Sequence, residues 1–368
     1  MNFELTQEQA LLKATLEQFL SQRYGFAERV AASRREPGYR RDIWQAFATE
    51  LGILGLNAPA ELGGVGGGPT EQLIVMEALG RHLCLEPVAE TVFEAAWLMA
   101  QGGGAVRAIV AQIAAGEAIC AVAVGEPKML YDFADIASRA VATGERWVLN
   151  GTKAVVVAAP WADWLVVAAV ADEGHTLFVI PTDASGLAIQ PYQTIDGRCA
   201  ADVTLNDVIV PQDMVLGPVG GALDLLEEWR DRAIAAQAAE TSGLLDRLVA
   251  DTVTYTKQRQ QFGRPIAEFQ ALQHRMVDMH IEVELVRAAA VLASCKLAAP
   301  TQERARAASS AKIAVARACR FVAQNAVQLH GGMGMTDELR IGHYFKRATQ
   351  IEREHGSESW HLARLARL

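Results

Sequence analysis

Between Ile119 and Leu216 the sequence abandons the helical spacing of apolar residues that precedes and follows it. This double switch of period constrains the fold more than any other feature. Ahead of it, from Thr6 to about Glu117, the pattern is helical. Thr6-Gln7-Glu8-Gln9 has capping-box spacing, and Leu12, Leu16, Phe19 and Leu20 follow on one face. Within the switched region, Leu165-Val166-Val167, Leu177-Phe178-Val179-Ile180 and Val203-Thr204-Leu205 are β-rich runs separated by turn clusters such as Asp183-Ala184-Ser185-Gly186. Asn150-Gly151, after Trp147-Val148-Leu149, predicts a hairpin turn. Strands this short and closely spaced predict an antiparallel sheet or barrel rather than βαβ units. From Ala222 onward, long Ala- and Leu-rich amphipathic stretches predict a helical bundle. The expected class is α+β, with a helical domain over 1–118, a β-domain over 119–218 and a helical bundle domain over 219–368.

A chain of 368 residues with 51% hydrophobic and 21% charged residues can bury a large core. Its net charge of −9 argues against a nucleic-acid binder, so an anionic ligand would be met by local arginines or helix ends. No run of about 18 uncharged apolar residues is present, which predicts no membrane span. Met1-Asn2-Phe3-Glu4-Leu5-Thr6 carries no basic or apolar leader pattern. Cys84, Cys120, Cys199, Cys295 and Cys319 are scattered and odd in number, with no C-x-x-C pair. Reduced thiols in the cytoplasm are expected, and no metal site. The glycine cluster Gly63–Gly68 lacks the Lys-Ser or Lys-Thr of a phosphate loop and reads as a flexible connection between helices.

Two segments concentrate the chemistry. One is Arg259-Gln260-Gln261-Phe262-Gly263-Arg264-Pro265-Ile266, followed by Phe269-Gln270 and Gln273. The other is Gln328-Leu329-His330-Gly331-Gly332-Met333-Gly334-Met335-Thr336-Asp337-Glu338. An arginine beside a glycine-rich helix junction suits a pyrophosphate, because the guanidinium supplies charge-assisted donors and glycine lets backbone N–H groups approach. Each segment alone reads equally well as a close helix crossing.

Together, in this order and with a long helical stretch between them, the two segments resemble the acyl-CoA dehydrogenase family. Further matches are Phe3-Glu4-Leu5-Thr6-Gln7-Glu8-Gln9, Leu51-Gly52-Ile53-Leu54-Gly55-Leu56, Gly125-Glu126-Pro127 and Leu149-Asn150-Gly151-Thr152-Lys153. The ending, Gly334–Leu339 and then Gly342–Arg347, looks most like the small subunits of pimeloyl-CoA dehydrogenases. The resemblance implies an N-terminal helical lobe, a middle β-lobe and a C-terminal four-helix bundle. It implies FAD as cofactor and an acyl-CoA thioester as substrate, in fatty-acyl or steroid catabolism. The reaction it implies is α,β-dehydrogenation, in which a carboxylate removes the α-proton while the β-carbon passes hydride to the flavin.

The departures from the family pattern are as informative. The two columns in which the family carries its catalytic Glu fall here on His355, within Arg353-Glu354-His355-Gly356-Ser357, and on Ala233. If the segment is helical, Glu354 points about 100° away from His355, and Glu352 lies about one turn away on the same face. His355 reads either as an imidazole base or as a helix-terminal histidine with no chemical role. Val155, Val156 and Val157 stand where the family lines the isoalloxazine with Trp-Ile-Thr/Ser. Gly125 replaces a Thr, and Leu130-Tyr131 replaces Gly-Ser. Asp231 falls where the family has an Asp near the pantetheine of CoA, but Ile234 replaces a nearby Arg.

In the family each FAD lies between two chains. The half that one chain donates to its neighbour, here Arg259, Phe262, Gln328, Gly331 and Gly332, is retained. The ring-binding half and the base are eroded. The resemblance therefore implies a heterotetramer in which this chain completes the FAD site of a base-bearing partner. Three other readings stand beside it: a self-sufficient enzyme using His355 or Glu352, a flavin-dependent monooxygenase of the same fold, and a purely structural subunit. Other residues rank lower. His274, His280 and His330 read as packed or surface histidines, Trp161 and Trp164 as sheet-edge packing, and Arg304, Arg306, Arg317 and Arg320 as solvated helix-face charges.

Overall fold

The computed structural model describes residues 4–368, so Phe3 of the opening match lies outside the described residues. In chain order the elements begin with helices α1 (Gln7–Arg23), α2 (Phe26–Ser33), α3 (Arg41–Thr49) and α4 (Pro69–His82). A π-helical stretch, Ala89–Ala95, runs directly into α5 (Ala96–Ala100), and α6 (Gly104–Ala114) follows. Then come β1 (Cys120–Ala123), β2 (Arg139–Thr143), β3 (Arg146–Val157), β4 (Trp164–Ala171), β5 (Gly174–Pro181), β6 (Leu187–Gln193), β7 (Cys199–Pro211) and β8 (Val215–Leu216). The remainder is α7 (Ala222–Gln258), a small ribbon of β9 (Gln260–Gln261) and β10 (Arg264–Pro265), and helices α8 (Gln270–Cys295), α9 (Thr301–His330), α10 (Arg340–Ile351) and α11 (Glu358–Arg367). By their contacts the residues form two units. One comprises the chain up to Ala31, Pro69–Cys84 and Ile234–Leu368; the other comprises Ala32–Gly68 and Leu85–Ala233.

In the first unit α1 starts at the predicted capping box. The Thr6 hydroxyl accepts from the Gln9 N–H at 3.2 Å, and the Gln9 side chain accepts from the Thr6 N–H at 3.0 Å. Leu16, Phe19 and Leu20 are buried, and α1 packs on α4. The core of this unit lies among α7, α8, α9 and α10. Leu244, Leu245 and Leu248 meet Val283, Val286, Val315, Val322, Tyr344 and Ile351, all removed from water. Helix α11 adds a further layer on α9. Because α9 is packed by α8, α10 and α11, Arg304 on it is buried, not the solvated helix-face charge that the sequence predicts. Arg306, Arg317 and Arg320 are exposed.

The second unit is built on a sheet of order β6-β7-β3-β2-β4-β5-β8, with β1 pairing β4. Most pairs are antiparallel, as the strand spacing predicts; β1–β4 and a single β2–β4 pair are parallel. The hairpin turn is misplaced in the sequence reading. Asn150 and Gly151 lie inside β3, and the chain reverses instead at Gly144-Glu145, between Thr143 and its partner Arg146. Asn150 acts across the sheet: its side chain donates to Asp207 Oδ1 and accepts from the Asp207 N–H, both at 2.9 Å, where β3 and β7 slip register. The glycine cluster joins a 3-10 turn, Ala60–Leu62, to α4. Part of it is held, since the N–H groups of Gly64 and Val65 donate to the carbonyls of Pro59 and Gly55.

Candidate functional site

The two glycine-bearing segments are brought together by a ring stack that sequence reasoning did not single out. Tyr255, in the last turns of α7, stacks on His330, the last residue of α9, with ring centroids 4.3 Å apart. The Tyr255 hydroxyl donates to the His330 carbonyl at 3.4 Å. His330 is buried, and Nδ1 donates to the Ala326 carbonyl at 2.8 Å. Burial holds its pKa below the ordinary imidazole value, so the ring is neutral at neutral pH. Sequence alone offers only the rule that a histidine on a helix is usually packed, which holds here but does not reveal the clamp.

From this clamp the two segments project outward. Gln261 and Arg264 pair across the ribbon, leaving Phe262 and Gly263 as a two-residue turn with φ of 53° and 77°. A bulky residue at positive φ is strained, yet the Phe262 ring is 90% exposed, resting edge-on against Phe269 with centroids 6.0 Å apart. Arg259 and Gln328 are exposed. Gly331 has φ of 60°, and a side chain built at Gly331 or Gly332 would meet nothing within 4 Å. No side chain crowds the backbone there, and the Gly331 N–H closes the helix by donating to the Gln328 carbonyl.

The turn after α10 has the opposite character. The helix ends at Ile351, and 352–355 form a turn, so the helical geometry assumed for Glu352, Glu354 and His355 does not hold. His355 adopts φ of 57° and is half-buried. Its carbonyl accepts from His361 Nε2 at 3.0 Å, which places the proton on Nε2 and leaves Nδ1 to accept from Ser309 Oγ at 3.1 Å. Gly356 has φ of 122°, and a Cβ there would lie 2.5 Å from His361 Nε2. Only glycine fits.

Both neighbouring carboxylates are committed. Glu354 accepts from Gln237 Nε2 at 2.7 Å and from Arg347 Nη1 at 2.9 Å. Arg347 also grips Glu240 through two bonds of 2.7 and 2.9 Å. Lys312, fully buried, donates to Gln237 Oε1 at 2.7 Å and to the Ile351 carbonyl that ends α10. Burial lowers its pKa to about 8. Glu352 pairs with Arg320.

In the second unit, the positions expected to face the flavin ring are aliphatic and in part already bonded. Val155 has φ of 54° and is half exposed, and its N–H donates to Asp202 Oδ1 at 3.1 Å. The same oxygen accepts from the Tyr192 hydroxyl at 3.0 Å. Glu126 accepts from Lys153 Nζ at 2.6 Å, from Ser138 Oγ at 2.7 Å, and from the N–H groups of Ala137 and Ser138. Burial opposes its charge, but these four donors outweigh it and hold the carboxyl below its usual range. Asp231 and Ala233 are both buried. Trp161 packs against the segment before α3, donating to the Pro37 carbonyl and contacting Tyr39.

Family descriptions match in the order this architecture implies: acyl-CoA dehydrogenase N-terminal domain over residues 6–117, middle domain over 121–208 and C-terminal domain over 232–368. The chain is 30% identical to acyl-CoA dehydrogenase IpdE2 of Mycobacterium tuberculosis, an alignment covering 93% of this chain and 91% of that one. The chain belongs to the acyl-CoA dehydrogenase family. Among solved structures, a variant of the Tcur3481-Tcur3483 steroid ACAD matches with a TM-score of 0.90 and 31% identity, over 98% of this chain and 97% of that one. The ChsE4-ChsE5 complex from Mycobacterium tuberculosis matches with a TM-score of 0.91 and 27% identity, over 100% and 98%.

Acyl-CoA dehydrogenases use FAD, and the two halves of this chain fit that cofactor unequally. Around the Tyr255–His330 clamp, the uncrowded backbone at Gly331 and Gly332, the Arg259 guanidinium and the exposed Phe262 ring fit a pyrophosphate and an aromatic base. At Val155–Val157 the side chains offer no hydroxyl, and Asp202 takes the Val155 N–H. The ring half does not fit. Among the described residues no helix is long and apolar enough to cross a membrane.

Proposed function

We propose that this acyl-CoA dehydrogenase chain is the FAD-completing subunit of a heterotetramer, working with a base-bearing partner on an acyl-CoA thioester. The observation that carries this reading is Phe262. A residue held at strained φ and 90% exposed is prepared for contact with something outside the chain. FAD, when bound, accepts the hydride that leaves the substrate β-carbon.

In this reading Arg259 neutralises phosphate charge, the Gln328 side chain and the Gly332 backbone offer donors, and Phe262 covers an apolar face of the cofactor. The Tyr255–His330 stack fixes the spacing between the two segments. Support also comes from the two-name composition of the ChsE4-ChsE5 complex and of the Tcur3481-Tcur3483 enzyme, which this chain matches over nearly its whole length. The partner supplies the carboxylate base. Here Glu354 is bonded to Gln237 and Arg347, and Glu352 is paired with Arg320.

The test is Arg259→Ala in the assembled heteromer, with FAD affinity measured by titration of the apoprotein. Loss of a charge-assisted contact, worth about 1.5–3 kcal/mol, weakens binding roughly 10- to 150-fold. Unchanged affinity contradicts the proposal. His355 carries a second reading, because its turn is fixed by His361 and Gly356. If it serves as a base in a self-sufficient enzyme, His355→Ala abolishes turnover by the chain purified alone.

A further inference from the structure

The helix ends gathered around α10 enclose a cavity that the FAD-completing role leaves unused. Its volume is about 230 Å³, and it lies among the last turn of α1, the start of α2, the end of α4, the middle of α7 and the first turns of α10. Three arginines line it, Arg81, Arg247 and Arg340, together with His82; among the described residues no carboxylate does.

The three arginines are unequally engaged. Arg81 is neutralised on every side: Nη1 lies 2.6 Å from Asp246, Nε 3.3 Å from Glu17 and Nη2 3.7 Å from Glu77. Arg247 and Arg340 instead share one carboxylate. Arg247 Nε lies 3.1 and 3.2 Å from the two oxygens of Asp251, and Arg340 Nε lies 3.5 Å from one of them. Neither has a further hydrogen bond or ion pair among the described residues. Two positive charges thus meet one negative, and both Nη forks remain open. The carbonyls that would repel an anion are already taken: that of Arg81 accepts from the Tyr344 hydroxyl, and that of Leu83 from Arg29 Nε at 3.2 Å. Phe26 and Arg340 begin α2 and α10, so two positively polarised helix starts border the same cavity.

We propose that this cavity binds a small phosphate monoester, its phosphate gripped by Arg247 and Arg340 opposite Asp251. A carboxylate has two oxygens and satisfies one guanidinium fork, whereas the three terminal oxygens of a phosphate serve two forks at once. The anion completes a ring of alternating charge with Arg247, Asp251 and Arg340. The cavity holds the liquid volume of about eight waters. That exceeds a bare phosphate and falls short of the roughly 300 Å³ or more that encloses a drug-sized ligand. The ligand is therefore a phosphate on a short sugar or polyol rather than a nucleotide. Tyr24 and Phe26 supply ring faces for its carbon chain. The site stands whether or not the chain completes a partner's FAD.

The test is calorimetric titration of the full-length chain with inorganic phosphate and with glycerol 3-phosphate at constant ionic strength. One saturable site per chain is expected, with the ester bound more tightly. Arg247→Ala and, separately, Arg340→Gln should each weaken binding about tenfold or more. Asp251→Asn, which removes the competing carboxylate, should tighten it. Arg317→Ala, at an exposed position on α9 outside the cavity, should leave it unchanged. Absence of saturable binding by either ligand overturns the proposal. So does wild-type affinity in both arginine variants once thermal unfolding shows them folded. Benzoate displacing the ester at comparable concentration reveals a carboxylate site and overturns the phosphate assignment. An equal loss of affinity in the Arg317 variant means adventitious ion binding only, which overturns it too.

Discussion

The segments around Gly331 and the turn around Gly356 both surround glycines at positive φ, and the sequence reading singles out both as candidate site positions. They have been built in opposite ways. A side chain at Gly331 would meet open space, whereas one at Gly356 would collide with His361. Arg259 is exposed, whereas Arg347 is buried between Glu240 and Glu354. One region keeps its polar groups available to a ligand. The other has turned its polar groups inward and made them part of the scaffold. Retaining a motif and retaining its availability are separate matters, and only geometry distinguishes them.

The largest effect that sharpens this contrast is expected at Arg347. Replacing it with Ala leaves the half-buried carboxylates of Glu240 and Glu354 without their buried cation and should cost about 3 kcal/mol in denaturant unfolding. A loss below about 1 kcal/mol would mean that the network is solvated and that the turn is not scaffold after all.

Lys312 gives the pH counterpart. Its folded pKa, about 8, lies below the ordinary lysine value. The unfolded chain therefore binds the extra proton between about pH 8 and 10.5, and stability contributed through Lys312 rises across that window. Below pH 8 both states are protonated and the desolvation penalty is present in full. The stability of the wild type relative to Lys312→Met should climb with pH over this range, by at most about 1.4 kcal/mol per pH unit. A flat difference would contradict the assignment of burial as the dominant influence.

The smallest pair of effects compares the glycines directly. Gly356→Ala meets both strain and collision and should cost about 1–3 kcal/mol of stability. Gly331→Ala meets strain alone, about 1 kcal/mol, and should instead weaken FAD binding in the heteromer. Thermal unfolding of the two variants beside an FAD titration separates them. Equal stability losses and equal FAD affinities would erase the distinction between the regions.

The division into helices, sheet and helices is legible in the sequence because hydrophobic period is a local property, and the capping box at Thr6 is legible for the same reason. The residues proposed to face FAD, Arg259, Phe262, Gln328, Gly331 and Gly332, can be singled out from sequence because each segment is short and continuous. What escapes the sequence depends on partners far along the chain. Asn150-Gly151 carries the local signature of a turn, but Asp207 offers Asn150 a partner across the sheet and keeps it within β3. Arg304 looks solvated until α11 is placed against α9. Glu354 looks like a spare carboxylate near the base position until Gln237, 117 residues earlier, is found bonded to it. Arg247 draws no attention until Arg340, on another helix, is found sharing Asp251 with it.

The central claim is that this chain holds FAD for a partner and not for itself. The most direct measurement is flavin content per chain, from absorbance and protein quantitation, for the chain purified alone and for the complex formed with a base-bearing partner subunit. The account predicts little or no flavin on the isolated chain and one FAD for every two chains in the complex. One tightly bound FAD per chain in the singly purified protein would contradict it.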